Sequence, residues 1–435
     1  MREAVSLAPD NDHVRAAFAK LNLDDSSHGF VKLCKQFGQD KDVAAGKEAR
    51  LYLQSRGAQV TPAVAEECLP LVIETDQDSL KELQELQDSL LASFLLHSIA
   101  ARTYLAKRLQ ESTTVTFEKV FLIGDGAANG MAATILDTKA WPNDATRVEC
   151  EIGVFQLFIA KLMESGHDYD GRAMKGISRL LAVDAQRLES LLDEDSFDAI
   201  LAALDIRWPV EVRSQATLAT AKYLEVSKEK GEEYLTRFIT TRVKRHAHHD
   251  LVIAFSAAAA TFPLVPSVAA TLFLTEGFLP SLVSLLENDS KSSKIEQAAL
   301  EMLNAACIDS ACREAVAKHC SRWLHFIMRT SQDQGRGQAA VVMAKVKGVS
   351  GDSATPEQSA TSKKDDVDIV TTFETMLLNG TESDVRNATE GLAYASMQPK
   401  IKEAIAKNQE LLKKLMYVPP TEASAGQKHT RNMYA

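Results

Sequence analysis

One recurring spacing constrains this chain more than any other feature. From about residue 170 onward an apolar doublet, two other residues and a second apolar doublet return again and again. Tyr234-Leu235 leads to Phe238-Ile239, Phe278-Leu279 to Leu282-Val283, Trp323-Leu324 to Ile327-Met328, and Leu411-Leu412 to Leu415-Met416. Positions i, i+1, i+4 and i+5 share one face of a helix, so each instance reads as a core-facing stripe. Leu235, Leu279, Leu324 and Leu412 stand 44, 45 and 88 residues apart, and 88 is twice 44. The missing copy falls near residue 370, where Phe373, Met376 and Leu377 form a weaker stripe. An alanine-rich helix precedes each stripe, centred on Ala173, Ala216, Ala257, Ala299, Ala340 and Ala388, at spacings of 43, 41, 42, 41 and 48. Arg313–Lys318 and Lys402–Lys407 are the nearest copies of one another, each leading into its stripe.

A unit of this size cannot bury its own stripe, and stacked neighbours supply the missing surface. A period of about 40–47 residues with two or three helices belongs to armadillo and HEAT arrays. The predicted fold is therefore all-α: an armadillo/HEAT-like right-handed α-solenoid of stacked helical repeats. Composition agrees, since 6% aromatic residues with 20 Gly and 12 Pro in 435 do not supply the strands and turns of an all-β chain. A prior of about 150 residues per domain gives three domains, whereas the period gives about ten repeat units. Residues 23–165 read as a central helical armadillo-like region, and Leu80, Leu83, Leu90, Leu91, Phe94, Leu95 and Ile99 carry a helical stripe there. Residues 166–347 and 367–416 read as armadillo-like repeats. They are parted by a flexible Ser/Thr/Asp-rich loop over 348–366 and followed by a disordered tail over 417–435.

The formal net charge of −10 argues against a phosphate-backbone binder. The most apolar stretch, Leu251 to Leu274, is broken by Pro263 and Pro266, so it reads as buried helices and not as a membrane span. The first residues lack the apolar core of a secretory signal, and six scattered cysteines without a CxxC pair read as reduced core thiols. The expected compartment is cytoplasmic.

Three clusters invite a chemical reading. Val120–Ile123 followed by Gly124, Gly126 and Gly130 suggests a dinucleotide loop, but the glycine spacing is one residue too long and no βαβ alternation surrounds it. It reads as an interhelical loop with a glycine cap. His246 and Asp250 stand four apart, which would meet on one helix face, yet no further ligand accompanies them and positive charge at a helix C-terminus is the simpler account. Cys307, Cys312 and Cys320 with His319 fit no zinc spacing and read as buried thiols. No catalytic motif, metal site or cofactor site is expected, and the chain does not read as an enzyme. What remains is surface. The polar sides of the stripe helices offer Arg237, Thr241 and Lys244, then Arg322, His325 and Arg329, a basic set suited to an acidic or extended polypeptide.

The stretch from Val385 to Ile405, with Leu392-Ala393-Tyr394 and Lys402-Glu403-Ala404-Ile405-Ala406, resembles the UCS family of myosin-directed co-chaperones, its fungal members in particular. Ala4, Leu7, Pro9 and Asn11, followed by Val14, Ala17 and Leu21, resemble the end of a tetratricopeptide repeat and its capping helix over residues 1–22. The resemblance implies a co-chaperone that binds the myosin heavy chain motor domain and assists its folding or its assembly with actin. It also implies heat-shock chaperone partners. The carboxylate clamp that captures them lies on tetratricopeptide helices that would precede Met1, and the UCS region stops soon after Met416. The expectation is therefore a member truncated at both ends, with no nucleic-acid or membrane partner. The competing reading is a generic armadillo scaffold or transport adaptor for an extended polypeptide. The tryptophan and asparagine ladders of nuclear-import adaptors are missing, however, with Trp323 the only tryptophan on a stripe.

Overall fold

A computed structural model describes residues 28–75, 81–164, 166–288, 292–331, 333–347 and 369–416. The expected tetratricopeptide remnant at 1–22, the loop at 348–366 and the tail at 417–435 lie outside the described residues. Within them the protein consists of helices joined by short turns, with no strand, and is an armadillo/HEAT-like α-solenoid.

Two compact units divide the chain. The first runs through Ala203 and takes back Pro209–Ser227; the second holds Leu204–Trp208 and everything from Lys228 onward. The first unit contains α1 (28–40), α2 (Val43–Arg56), α3 (Pro62–Ile73), α4 (Lys81–His97), α5 (Ile99–Glu111) and α6 (Thr113–Ile123). It continues with α7 (Asp125–Leu136), α8 (Asp144–Met163), α9 (Asp170–Leu188), α10 (Glu194–Ala202) and α11 (Val210–Ser227). Local chemistry sets these starts. Asp42, Ser98, Asn143 and Asp193 each accept a hydrogen bond from a backbone N–H in the first turn that follows, and Thr61 does so ahead of Pro62.

Helices of this unit pack in two ladders. One runs α2–α4–α7–α9–α11, the other α3–α5–α6–α8–α10. Each ladder buries the stripe of the other, so no helix stands alone. Phe94, Phe117, Phe121, Phe155 and Phe158 fill the space between, all fully buried.

The second unit contains α12 (Glu229–Arg245), α13 (His248–Thr261), α14 (Pro266–Leu274), α15 (Phe278–Asn288), α16 (Ser293–Ala306) and α17 (Ser310–Thr330). It ends with α18 (Asp333–Lys347), α19 (369–379), α20 (Glu382–Ala395), α21 (Pro399–Lys407) and α22 (Gln409–Met416). Here α13, α16, α18 and α20 pack in succession, while α14 contacts α12, α15 and α17. The alanine series lies along these ladders: Ala173 on α9, Ala216 on α11, then Ala257, Ala299, Ala340 and Ala388 on the four successive helices. All six are completely buried. A methyl side chain at each crossing lets neighbouring backbones approach closely, which is why alanine recurs there.

The stripes lie as their spacing predicts. Leu235, Phe238, Ile239, Leu279, Leu282, Trp323, Leu324 and Ile327 are buried, and the weaker copy on α19 is buried too, at Phe373, Met376 and Leu377. The last stripe is shallower: Leu411 is buried and Met416 is 84% exposed. The two matching segments part company in one respect. Arg313–Lys318 and its stripe form a single continuous helix, α17, whereas Lys402–Lys407 ends α21 before α22 begins. Asn408 makes the break. Its Oδ1 accepts from Leu411 N at 3.1 Å and its Nδ2 donates to Glu374 at 2.8 Å.

The apolar run Leu251–Leu274 resolves into α13 and α14, with Pro263 in the turn and Pro266 in the first turn of α14. Among the described residues no single helix is long and apolar enough to cross a membrane, and the one apolar helix pair, α14 with α15, is bent by 81°.

Candidate protein-binding surface

The glycine cluster proves to be a helix junction. Only Gly124 lies outside a helix, and Gly126 and Gly130 sit inside α7. Asp88 of α4 accepts from Gly126 N at 3.0 Å and Ala127 N at 2.7 Å, so a carboxylate of the chain already occupies the position where a helix N-terminus would hold a phosphate. A Cβ on Gly124 would lie 2.2 Å from Asp88 Cγ. Arg172 of α9 closes the other side, donating to Phe121 O and pairing with Asp125 at 2.7 Å. The loop of the sequence reading thus shrinks to one residue, and the site that glycines would open is filled by side chains.

His246 and Asp250 do not share a helix face. His246 takes the left-handed conformation that ends α12 (φ 54°), and Asp250 lies in the first turn of α13, 3.9 Å from both Arg242 and Arg245. Among the described residues no three His, Cys, Asp or Glu side chains gather as a metal site. All six cysteines are free and buried. Burial pushes the Cys307, Cys312 and Cys320 thiols up to about 12, with nearby Asp309 adding to the effect at Cys312, so none is a ready nucleophile.

The surface set is placed on two helices of the second unit. On α12, Arg237, Thr241 and Lys244 are exposed, and Arg237 pairs with Glu233 at 2.6 Å. On α17, Arg322 and Arg329 are exposed, and His325 is half-buried with Nδ1 2.7 Å from Ser321 O. The structure brings His325 and Arg329 together at a cavity of about 380 Å³ that the other four do not line. Its remaining walls come from Arg336 on α18 and from threonines of α19 and the start of α20. Those residues were not legible as a site. They are separated from His325 and Arg329 by up to 50 or more positions, and only the packing of α17, α18 and α19 assembles them.

Residues 168–376 match the family model UNC45-central, described as myosin-binding striated muscle assembly central. The match begins just before α9 and ends in α19, an interval that holds five of the six ladder alanines, Ala173 to Ala340, and the stripes on α12, α15 and α17. Among solved structures, a crystal structure of She4p is similar at a TM-score of 0.55 and 12% identity, over 94% of this chain and 49% of that one. A crystal structure of Kap121p bound to Pho4p aligns at a TM-score of 0.45 and 10% identity, over 95% of this chain and 51% of that one. The chain spans about half the length of these structures, and the likeness to She4p is one of fold. No curated protein sequence matches the chain.

Proposed function

We propose that this protein is a non-enzymatic co-chaperone that works in the cytoplasm, binds the myosin motor domain and assists its folding or assembly into actomyosin. The observation that carries the reading is the match of residues 168–376 to a family described as myosin-binding, falling on the repeating helices of the stack. A solenoid suits this work because its face is long and each helix adds a few side chains to it. Motor domains are large and fold through intermediates that expose apolar and strand-edge surface, and covering that surface competes with aggregation. Arg237, Thr241, Lys244, Arg322, His325 and Arg329 are assigned as contacts to the client.

Capture of purified motor domain by the immobilised chain, together with suppression of motor-domain aggregation on heating, tests the proposal. Both effects are expected at near-stoichiometric ratios. Capture without suppression would favour the scaffold reading, and absence of both from a folded chain would overturn the assignment.

A further inference from the structure

The cavity beside His325 and Arg329 has a composition of its own. Its basic wall is built by two helices: Arg329 in the last turn of α17 and Arg336 in the first turns of α18. Arg336 is flanked by two glycines that fix the helix tightly. A Cβ on Gly335 would lie 2.5 Å from Glu296 Oε1, and one on Gly337 2.5 Å from Met376 Cε. The opposite wall is hydroxyl-rich, with Thr371, Thr372 and Thr375 of α19 and Thr381 at the cap of α20. Met328 and Met376 supply soft apolar surface. Among the described lining residues the one acidic side chain, Asp384, spends its Oδ2 on Thr381, accepting from both N and Oγ1 at 2.8 Å. The chain as a whole carries a net charge of −10, so two guanidinium groups and an imidazole around one cavity run against its background.

Volume and chemistry narrow the occupant. About 380 Å³ lies within the range of built ligand pockets of roughly 300–1,000 Å³, and it is larger than one carboxylate needs. Guanidinium forks match carboxylates bidentately, threonine hydroxyls satisfy a peptide backbone, and methionines accept apolar side chains of varied shape. We propose that this cavity binds an acidic peptide segment of the client. One carboxylate sits between Arg329 and Arg336, and a neighbouring apolar residue rests on Met328 and Met376. The proposal rests on the protein-binding reading above and deepens it by naming the segment's chemistry and its seat.

Fluorescence anisotropy of the full chain with a labelled hexaglutamate peptide, and with hexalysine as the opposite charge, is the direct test. Hexaglutamate is expected to bind, with an affinity that falls as salt rises, and hexalysine is not. Replacing both arginines (Arg329→Ser with Arg336→Ser) should weaken hexaglutamate by about tenfold or more, whereas Lys318→Ser, exposed on α17 but outside the cavity, should change it by less than about twofold. Thr375→Trp fills the cavity from the opposite wall without altering charge and should weaken binding as well; circular dichroism melts of each variant check the fold. Equal loss in Lys318→Ser, or no loss in the double variant, would overturn the site. Motor-domain capture run in parallel separates the two readings. Capture that ignores the double variant sinks the cavity and leaves the co-chaperone standing, and hexaglutamate binding lost in the double variant without any motor capture does the reverse.

Discussion

Lys345 Nζ lies 2.6 Å from Glu390 Oε1 although the Lys345 side chain is only 1% exposed. The same ammonium donates to Asn304 O at 3.1 Å and sits 5.2 Å from the centre of the Tyr394 ring. One buried charge thereby ties α16, α18 and α20, three successive members of the alanine ladder. Each of its donors is directed at a different neighbour, so the lysine fixes the register of the stack as well as its cohesion.

Removing the carboxylate is expected to hurt more than removing the charge. Glu390→Ala strands an ammonium in the interior and should cost about 1–3 kcal/mol. That is below the roughly 3–5 kcal/mol of a fully enclosed pair, because Glu390 is 41% exposed and water can replace part of it. Lys345→Met keeps the volume, abolishes the need for a partner and should cost less than Glu390→Ala. Urea unfolding followed by the fluorescence of Trp208 and Trp323, both in the second unit, measures the order. A larger loss in Lys345→Met would mean that the ion pair is a net source of stability.

The thiols make a second prediction. Burial leaves all six cysteines inaccessible, and it raises the Cys307, Cys312 and Cys320 thiols far enough that these three stay un-ionised near neutral pH. An aromatic disulfide reagent should label none of them quickly in the native chain and all six in denaturant. Zinc should not raise the melting temperature. Rapid native labelling of Cys307, Cys312 or Cys320 would show that the helices around them open far more readily than their packing implies.

Much of this fold could be read from residue spacing, and the reason is physical. Ala257, Ala299, Ala340 and Ala388 each meet the same kind of neighbour, so the same small residue recurs at nearly the same interval. The breaks were harder to read. Ser98 ends the stripe of α4 by capping α5 through Ala101 N at 3.2 Å, which leaves Ile99 43% exposed although it continues the apolar spacing. Asn408 splits α21 from α22 where its counterpart segment runs on. Both depend on one side chain competing for a backbone group, and periodicity averages that away. The cavity was half legible: Arg329 and His325 follow the stripe, but Arg336 and the α19 threonines join them only through tertiary packing.

The junction at Gly124 offers a double-mutant cycle. Gly124 has φ 171°, ordinary extended backbone, so the obstacle to a side chain is the Asp88 carboxylate and not strain in the chain. Gly124→Ala should cost about 1–3 kcal/mol by overpacking, and Asp88→Ala about 1–2 kcal/mol by uncapping α7. The double variant should lose less than the sum, since removing the carboxylate makes room for the methyl. Strict additivity in thermal or urea unfolding would mean that the clash is relieved elsewhere. Adenine nucleotides and NAD are expected to leave the melting temperature unchanged, because Asp88 fills the site that a pyrophosphate needs.

Glu151 provides the pH dependence. Its side chain is fully buried on α8, 2.8 Å from Arg187 and 3.4 Å from Arg147. The facing Asp184 stands where α9 departs from helical geometry, 3.4 Å from Arg187 and 3.6 Å from Arg147, and Asp144 takes the other edge of Arg147 at 2.8 Å. Burial above all, and then Asp184, push the Glu151 carboxyl from its ordinary 4.5 up to about 7 against the pull of the two arginines. The folded chain therefore holds a proton that the unfolded chain releases, over the window from about pH 4.5 to about pH 7. The contribution of Glu151 to stability is largest below that window and declines as pH rises through it. Glu151→Gln carries no such proton. Its melting temperature relative to the wild type should climb by about 2–5 °C between about pH 5 and about pH 8 and stay level above that. Scanning calorimetry of both proteins across the range reads the difference directly, and every other titrating group cancels to first order. A gap that is flat with pH, or one that narrows as pH rises, would place the Glu151 carboxylate in its charged form throughout, held there by Arg147 and Arg187.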